Sequence, residues 1–298
     1  MENISYCLVL SGGGAKGVYH IGAWKAFKEL GLKFEAVVGN SVGALIAGFF
    51  AQDDYDGLYS IMSEMGLENF ISVPKELVKN GEFYIDKDNF KVLEDLEKDI
   101  LEKQGLDTLP LKKMLEENLN ETKIRNSGMD LGIVTVQLKN LEPLEIFIDD
   151  MEDGEVLNYL QASATLPGFK STEIKDKKFI DGGVYDNIPF GVAKARGYKN
   201  IIVLDISGIG VNRRPNIIGT NTIYIKNSIK IGSVLDFDPK FLNDYRELGY
   251  LDTLKTFGKL EGWNYFFTRD NELYNSFENI LMHNDEFKIY KYPNYFQM

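Results

Sequence analysis

Three short stretches of the chain carry residue types that can do chemistry. The first, CLVLSGGGAKG at residues 7–17, joins an apolar run to glycines and contains Gly12-x-Gly14-x-x-Gly17. Such a loop offers backbone N–H groups to a negative charge, either a dinucleotide pyrophosphate or the oxyanion of acyl transfer. A dinucleotide site also needs an acidic residue at the end of the second strand. Glu35 lies near the start of that strand instead, which weakens the dinucleotide interpretation.

The second stretch, Gly39-Asn40-Ser41-Val42-Gly43, fits the G-x-S-x-G pattern and lies between an apolar strand and an apolar helix. In that setting a sharp turn lifts the serine out of the sheet. Gly39 and Gly43 avoid the clashes that a Cβ would cause in the turn. Ser41 is also placed at a helix N-terminus, where the dipole favours developing negative charge. We therefore predict that Ser41 is a nucleophile.

A serine nucleophile needs a general base, and the chain has two histidines, His20 and His283. His20 falls on the first predicted helix, and His283 falls in an irregular tail, so neither has the setting of a catalytic base. The third stretch places Asp181 after a short strand and before Gly182-Gly183. By itself, this setting favours a turn residue that bonds to its own backbone over a catalytic aspartate.

Together and in this order, the three motifs resemble those of the patatin-like phospholipases. The segments ASATLPGF (162–169) and YDNIPF (185–190), on either side of the aspartate, are similar to that family as well. The resemblance covers residues 5–206. It implies a Ser–Asp dyad without histidine, in which Ser41 is the nucleophile and Asp181 is the general base.

The resemblance also implies roles for the glycines around the dyad. Those of the first motif, Gly12, Gly13 and Gly14, form the oxyanion hole. Six further residues support the motifs: Lys16, Gly17, Gly39, Gly43, Gly182 and Gly183. The family usually has arginine where Lys16 stands, and lysine lacks the bidentate geometry of arginine.

The implied activity is hydrolysis of fatty-acyl ester bonds in lipids or phospholipids, with no cofactor and no metal. A lipid or fatty-acyl ester is then the substrate. The first alternative is a non-catalytic interaction module on the same fold, and the second is a dinucleotide-binding enzyme. Retention of both Ser41 and Asp181 favours the enzyme.

The amino-acid composition limits the classes of partner and metal that we expect. The 298 residues carry a net charge of −12 and a pI of about 4.8, so we expect no nucleic-acid partner. Overall attraction to an anionic membrane is weak for the same reason, and any membrane-surface contact is expected to be transient. With Cys7 as the one cysteine and two histidines, a zinc site of imidazole and thiolate is not expected. Cys7 is predicted to be a small buried hydrophobe.

The N-terminus lacks a basic segment followed by a long apolar stretch, so no signal peptide is predicted. No apolar run reaches the roughly 18 residues that a membrane helix needs. We therefore expect a cytoplasmic protein. The sequence carries no signal for an oligomeric state.

The elements that must position these motifs alternate between strand and helix. This order predicts an α/β fold, a three-layer sandwich with a mainly parallel central sheet and a helical insertion. The predicted strands are 6–10, 34–38, 130–138, 144–148, 178–180, 200–207 and 222–226, and the predicted helices are 18–30, 41–52, 155–164, 189–196 and 239–259. We assign residues 5–206 to the catalytic domain and residues 207–298 to an extension packed on the same domain.

The insertion, about residues 52–125, carries two apolar helical stripes: Phe90, Leu93, Leu96, Ile100 and Leu101, then Leu111, Leu115 and Leu119. Stripes of this kind favour ordinary core packing, and a lid over the site is the alternative. Four aromatic residues of the tail present the same choice between core and acyl channel: Trp263, Tyr265, Phe266 and Phe267. Core packing is favoured there too.

Overall fold

A mixed eight-stranded sheet organises the chain in the computed structural model. The structure describes residues 4–64, 66–79, 82–83, 90–103, 105–229, 232–262 and 266–268. The strands are β1 (Ser5–Leu10), β2 (Lys33–Asn40), β3 (Val78–Lys79), β4 (Glu82–Phe83), β5 (Asp130–Gln137), β6 (Glu142–Phe147), β7 (Thr172–Ile174), β8 (Lys177–Asp181), β9 (Asn200–Asp205) and β10 (Asn221–Lys226). β3 and β4 pair only with each other, and the other strands form the sheet.

Helices cover both faces of this sheet. They are α1 (Val18–Leu30), α2 (Val42–Ala51), α3 (Tyr55–Ser63), α4 (Phe90–Lys103), α5 (Leu109–Asn118), α6 (Glu121–Asn126), α7 (Val156–Ser163), α8 (Phe190–Arg196) and α9 (Pro239–Thr256). Both side-chain faces of β1 are buried from Cys7 to Leu10, as in strands covered on two sides. The predicted α/β fold and the buried Cys7 are confirmed.

The strand order sends several loops to one edge of the sheet. The order is β10-β9-β1-β2-β5-β8-β7, and the five strands from β10 to β5 are parallel. The carboxyl ends of β1, β2 and β9 therefore lie side by side, with Leu10 opposite both Gly39 and Leu204. Since the glycine loop follows β1 and Ser41 follows β2, the first two sequence motifs meet at this edge.

The third motif reaches the same point from the opposite direction. Along β5, Asn40 of β2 pairs with Val134, and the next β5 residue, Thr135, pairs with Asp181 of the antiparallel β8. β6 pairs with β5 from Gly132 to Gln137 and so occupies its other edge throughout. A strand has only two hydrogen-bonding edges. β2 and β8 therefore share one edge of β5, and their carboxyl ends face each other.

Helices α1 and α9 pack with their backbones in close approach. A Cβ on Gly22 of α1 would overlap the carbonyl oxygen of Arg246 in α9, and a Cβ on Gly249 would overlap the carbonyl oxygen of Tyr19. The Tyr19 hydroxyl, fully buried, donates to Asp252 Oδ2 at 2.9 Å. The two glycines thus set the distance at which α9 covers α1.

The chain divides into two compact units, residues 1–253 and 254–298. The first continues past residue 206 and includes β10, and the second contains the end of α9 and a β-bridge between Glu261 and Phe267. The predicted boundaries, 5–206 and 207–298, stay predictions. Within the described residues, no helix is long and apolar enough to cross a membrane, and no cluster of three metal-ligating side chains occurs.

The insertion is helical, and several of its predicted stripe positions are core. The buried members are Leu96, Leu111, Leu115 and Leu119. Of the aromatic residues in the tail, Trp263 and Tyr265 lie outside the described residues. Phe267 is exposed, so the core packing predicted for it is wrong.

We expect Gly22→Ala to destabilise the protein by about 2 kcal/mol, because the added methyl forces α1 and α9 apart. Gly191→Ala is the matched control. Gly191 lies in α8 with no atom within 4 Å of an added Cβ, so helix propensity should stabilise this variant by about 0.5–1 kcal/mol. Urea unfolding of the two variants measures both values. Equal effects in the two helices would contradict the close approach.

Candidate active site

The turn that carries Ser41 has the strained geometry of a nucleophile elbow. Ser41 has φ 55° and ψ −131°, a conformation that non-glycine residues rarely adopt. A Cβ on Gly39 would overlap the carbonyl oxygen of Gly43, and one on Gly43 would overlap that of Leu10. Both flanking glycines are therefore required by close backbone approach, as the sequence predicts.

Two consecutive buried hydrogen bonds connect the Ser41 turn to a helix and a strand. The amide of Ser41 donates to Ser163 Oγ at 2.9 Å, and that hydroxyl donates to the carbonyl oxygen of Val134 at 2.6 Å. Ser163 ends α7 and Val134 lies in β5, so the elbow is tied to the helix and to the strand. Sequence reasoning missed Ser163, which stands in the ASATLPGF segment without any distinguishing spacing.

Asp181 is held at the end of β8 with one carboxylate oxygen unsatisfied. Its Oδ1 accepts the Gly183 amide at 2.6 Å, and its own amide donates to the carbonyl oxygen of Thr165 at 2.7 Å. Oδ2 is buried and has no partner in hydrogen-bonding geometry within the described part of the chain. Gly182 next to it approaches Asn40 so closely that a Cβ would overlap Asn40 Oδ1. The free oxygen is therefore available for a proton.

Burial makes this carboxylate more basic than usual. It raises the pKa of Asp181 to about 6, against an ordinary value of 3.8. The Ser41 hydroxyl, the Gly183 amide and the Asn40 side chain all lower the pKa, but by less than burial raises it. Asp181 lines the same cleft as Ser41, and its raised pKa matches it to a serine proton better than that of an exposed aspartate.

The glycine loop places two residues, Gly13 and Gly14, on the wall of the cleft that contains Ser41. We find no acceptor for the Gly13 or Gly14 amide among the described residues, and both glycines line the same cleft as Ser41. Gly14 has φ 56°, and a Cβ there would overlap the carbonyl oxygen of Val234. Two free N–H groups beside the serine are the arrangement that stabilises a tetrahedral oxyanion.

The structure corrects the prediction for Gly12. Its amide already donates to the carbonyl oxygen of Asn187 at 3.1 Å, so it is not a third donor for an oxyanion. A Cβ on Gly12 would lie 2.9 Å from the Ser41 Cβ. Gly12 instead permits the close approach of the loop to the elbow.

Lys16 and Gly17, both predicted to support the motif, anchor the glycine loop together with Ala15. The Ala15 amide donates to the carbonyl oxygen of Val234 at 2.8 Å, and the buried Lys16 Nζ donates to that of Ser207 at 3.2 Å. Gly17 packs against Val42, where a Cβ would lie 2.5 Å from Cγ2. Lys16 thus joins the loop to the segment after β9 through a hydrogen bond to a carbonyl oxygen.

Asn187 links the first two motifs to the segment after β9, a role that sequence reasoning missed. Its Oδ1 accepts from Asn40 Nδ2 and its Nδ2 donates to the Gly12 carbonyl, each at 3.3 Å. Its backbone amide donates to the carbonyl oxygen of Val211 at 2.7 Å. Asn187 belongs to the YDNIPF segment, and the similarity of that segment to the family was the available signal.

The structure places His20 away from any catalytic role. Its Nε2 lies 3.0 Å from the carbonyl oxygen of Ser11, which only accepts, so Nε2 carries the proton. Burial lowers the pKa of His20 to about 4. Nδ1 is buried and has no partner among the described residues, Ser41 included. His283 lies outside the described residues.

Two cavities open beside Ser41. A cleft of about 580 Å³ is lined by Gly13, Gly14, Ser41, Leu166, Pro167, Asp181, Gly183, Val184, Ile209, Gly210, Val211 and Val234. A smaller apolar cavity of about 40 Å³ also borders Ser41 and Gly14 and is otherwise lined by Val42, Leu45, Leu67, Phe70, Ala164, Leu166, Phe169, Leu235 and Phe237. Leu67 and Phe70 bring the insertion into this second wall.

One cleft at the carboxyl end of the parallel strands therefore brings together a strained serine, a buried carboxylate and two amides without an acceptor among the described residues. The sequence profile of the patatin-like phospholipases matches residues 8–194. The chain therefore belongs to the patatin-like phospholipase family.

Individual relatives are distant. The chain is 28% identical over 207 residues to mouse patatin-like phospholipase domain-containing protein 6, and 26% identical over 212 residues to lysophospholipase NTE1 of Lodderomyces elongisporus. These matches cover 67% and 70% of this chain but 13% of each relative. The crystal structure of VipD from Legionella pneumophila shares the fold, with a TM-score of 0.51 and 16% identity over 85% of this chain and 67% of VipD.

The burial of Asp181 predicts a pH-dependent gain in stability for Asp181→Asn. A folded pKa of about 6, above the ordinary 3.8, means that the carboxyl contributes fully to stability below pH 4 and loses that contribution as the pH rises through 6. An amide does not titrate and can still accept the Gly183 N–H. The variant should therefore match wild type at pH 4 and exceed it by about 3 kcal/mol at pH 8.

Thermal unfolding at the two pH values measures this difference. Asp153→Asn is the control, since that side chain is 99% exposed and its change should have no comparable effect. A gain at Asp181 that is equal at pH 4 and pH 8 would contradict a raised pKa.

Proposed function

We propose that the protein is a serine acyl hydrolase that cleaves fatty-acyl esters of lipids through Ser41 and Asp181. One observation carries this proposal: Ser41, the unpartnered Oδ2 of Asp181 and the amides of Gly13 and Gly14 share one cleft. Family membership supports lipid hydrolysis in general. A non-catalytic module would have no need to bury an unsatisfied carboxylate beside a strained serine.

The first half of the reaction forms an acyl-enzyme. Asp181 takes the proton of Ser41 Oγ as this oxygen attacks the ester carbonyl carbon. The carbonyl oxygen becomes an oxyanion, which accepts hydrogen bonds from the Gly13 and Gly14 amides. Collapse of the intermediate breaks the ester C–O bond, and the leaving alcohol takes the proton from Asp181.

The second half releases the fatty acid. Asp181 takes a proton from a water molecule, whose oxygen attacks the acyl carbonyl and forms a second oxyanion at the same amides. Collapse breaks the bond to Ser41 Oγ, which recovers its proton from Asp181. Because Asp181 must be ionised at the start of each half, kcat/KM should rise with pH through about 6.

The decisive test separates an aspartate base from a histidine base. Asp181→Asn should lower kcat/KM on a nitrophenyl ester on the order of 10³-fold, because an amide cannot accept the serine proton. Ser41→Ala should abolish both turnover and labelling by a fluorophosphonate probe. His20→Gln, which retains a donor for the Ser11 carbonyl, and His283→Ala should keep most of the activity.

Circular dichroism of each variant confirms that folding is intact. Collapse of activity in His283→Ala together with survival in Asp181→Asn would overturn the dyad. Fluorophosphonate labelling that persists in Ser41→Ala would overturn the nucleophile.

We further propose that the apolar cavity beside Ser41 takes the first carbons of the acyl chain. A neighbouring cavity of about 10 Å³ shares Val42, Leu45 and Phe70 with it and continues toward Met62 and Met114. Methionine side chains adapt readily to an added apolar ligand. The open cleft on the other side of Ser41 then takes the alcohol portion of the ester.

Ala164→Leu tests this division, because Ala164 lines the small cavity and a leucine there fills it. We expect kcat/KM for an octanoyl ester to fall at least tenfold relative to an acetyl ester. Loss of burial for about two methylene groups of the octanoyl chain is enough for a tenfold change. The acetyl ester measured on the same variant is the internal control. Equal losses for both esters would contradict the assignment.

A further inference from the structure

The mouth of the cleft is surrounded by exposed aliphatic side chains. Ile209 is 79% exposed, Val211 49%, and Val184 40%, and all three line the cleft that contains Ser41. Leu235, which borders the adjoining cavity, is 42% exposed. Apolar side chains clustered at an opening mark an interaction surface more often than a bare solvent face. These four residues are called the rim below.

Hydrogen bonds anchor the segment that carries Ile209 and Val211. The Val211 amide donates to the carbonyl oxygen of Gly183 at 2.8 Å, which couples the segment after β9 to the turn that follows Asp181. Arg213 Nε donates to the carbonyl oxygen of Tyr185 at 3.1 Å, and its guanidinium lies 3.7 Å from the centre of the Tyr185 ring. Ile209 and Val211 are thus displayed outward by an anchored segment.

Two segments that border the cleft carry basic residues and no acidic ones, in a chain that is strongly acidic overall. Residues 207–220 contain Arg213 and Arg214, both exposed, and no acidic residue. Residues 162–172, which carry Leu166 and Pro167 of the cleft, contain Lys170 and no acidic residue. Against a net charge of −12, these two segments reverse the local sign, whereas the segment that carries Leu235 contains Asp236 and Asp238. The positive charge therefore accompanies Ile209 and Val211. Such a surface complements anionic head groups.

We propose that the rim docks on the surface of an anionic phospholipid bilayer, and this rests on the proposed lipid hydrolase function. The aliphatic side chains enter the interface between head groups, and the two arginines bind lipid phosphates. The occupant must cover the rim without closing the cleft. A bilayer satisfies both conditions because it supplies the ester through that opening, whereas a protein seated there would block Ser41.

The chain provides its own control surface. Ile218 is 82% exposed and belongs to the same connection between β9 and β10. β10 begins at Asn221, opposite Asn200 at the start of β9. Ile218 therefore lies toward the amino end of these strands, away from the cleft, which opens at their carboxyl end. It matches Ile209 in residue type and exposure but not in position.

Vesicle flotation of the full chain tests the proposal. Every variant carries Ser41→Ala, so that the lipid stays intact and binding is read independently of turnover. The vesicles are phosphatidylglycerol mixed with phosphatidylcholine, or phosphatidylcholine alone. We expect binding to the anionic vesicles to weaken at least tenfold with Ile209→Asp plus Val211→Asp, and about fivefold with Arg214→Glu. Ile218→Asp should stay within twofold of its parent.

Absence of flotation with anionic vesicles would overturn the proposal, as would equal losses for Ile218→Asp and the rim double variant. Equal binding to phosphatidylcholine alone, or no effect of Arg214→Glu, would overturn the assigned head-group chemistry. Analytical ultracentrifugation of the free protein tests whether a second copy of the chain occupies the rim. Self-association of the free protein that the rim substitutions abolish would assign the rim to a second copy instead.

The two proposals fail separately. Flotation with anionic vesicles supports docking even if the wild-type protein, with Ser41 intact, hydrolyses no ester. That second result would overturn only the hydrolase proposal. A chain that hydrolyses soluble esters but does not float overturns docking alone.

Discussion

One edge of β5 is shared by two strands that approach from opposite directions, and the candidate site depends on this sharing. Asn40 at the end of β2 and Asp181 at the end of β8 pair with consecutive residues of β5. The residue after Asn40 is Ser41. The distance between the serine and the aspartate is therefore set by sheet hydrogen bonds, which are among the least deformable contacts in a protein.

This arrangement keeps two unfavourable features in place. Ser41 holds a strained backbone conformation, and Asp181 Oδ2 is buried without a partner. Both are tolerated because Asp181 ends a strand and Ser41 follows one, and because Ser163 Oγ and the Thr165 carbonyl oxygen accept hydrogen bonds from their backbone amides. The same burial raises the pKa of Asp181. The strain and the poor solvation are thus the source of the reactivity that we propose.

The hydrogen bonds of Asn187 connect the loops around the site to the sheet. Through Gly12, Asn40 and Val211 it joins the oxyanion loop, the elbow and the segment that displays the rim. Catalytic groups and the proposed lipid-facing surface are therefore positioned by one set of hydrogen bonds. Docking on a bilayer and alignment of the dyad would share a rigid frame, which suits an enzyme whose substrate stays in a membrane.

The sequence by itself determined most of the elements and the turn at Ser41, because these depend on local rules: helix α1 ends before Gly31 with φ 67°, and the glycines around Ser41 define its turn. Asp181 was singled out by the family resemblance, since local rules alone favour a turn residue there. Only the tertiary structure decided which amides are free. The Gly12 amide is taken by Asn187, 175 residues away in the chain, and no local pattern records such a partner. The wall of the apolar cavity, where the insertion contributes Leu67 and Phe70, was likewise decided by packing between segments distant in sequence.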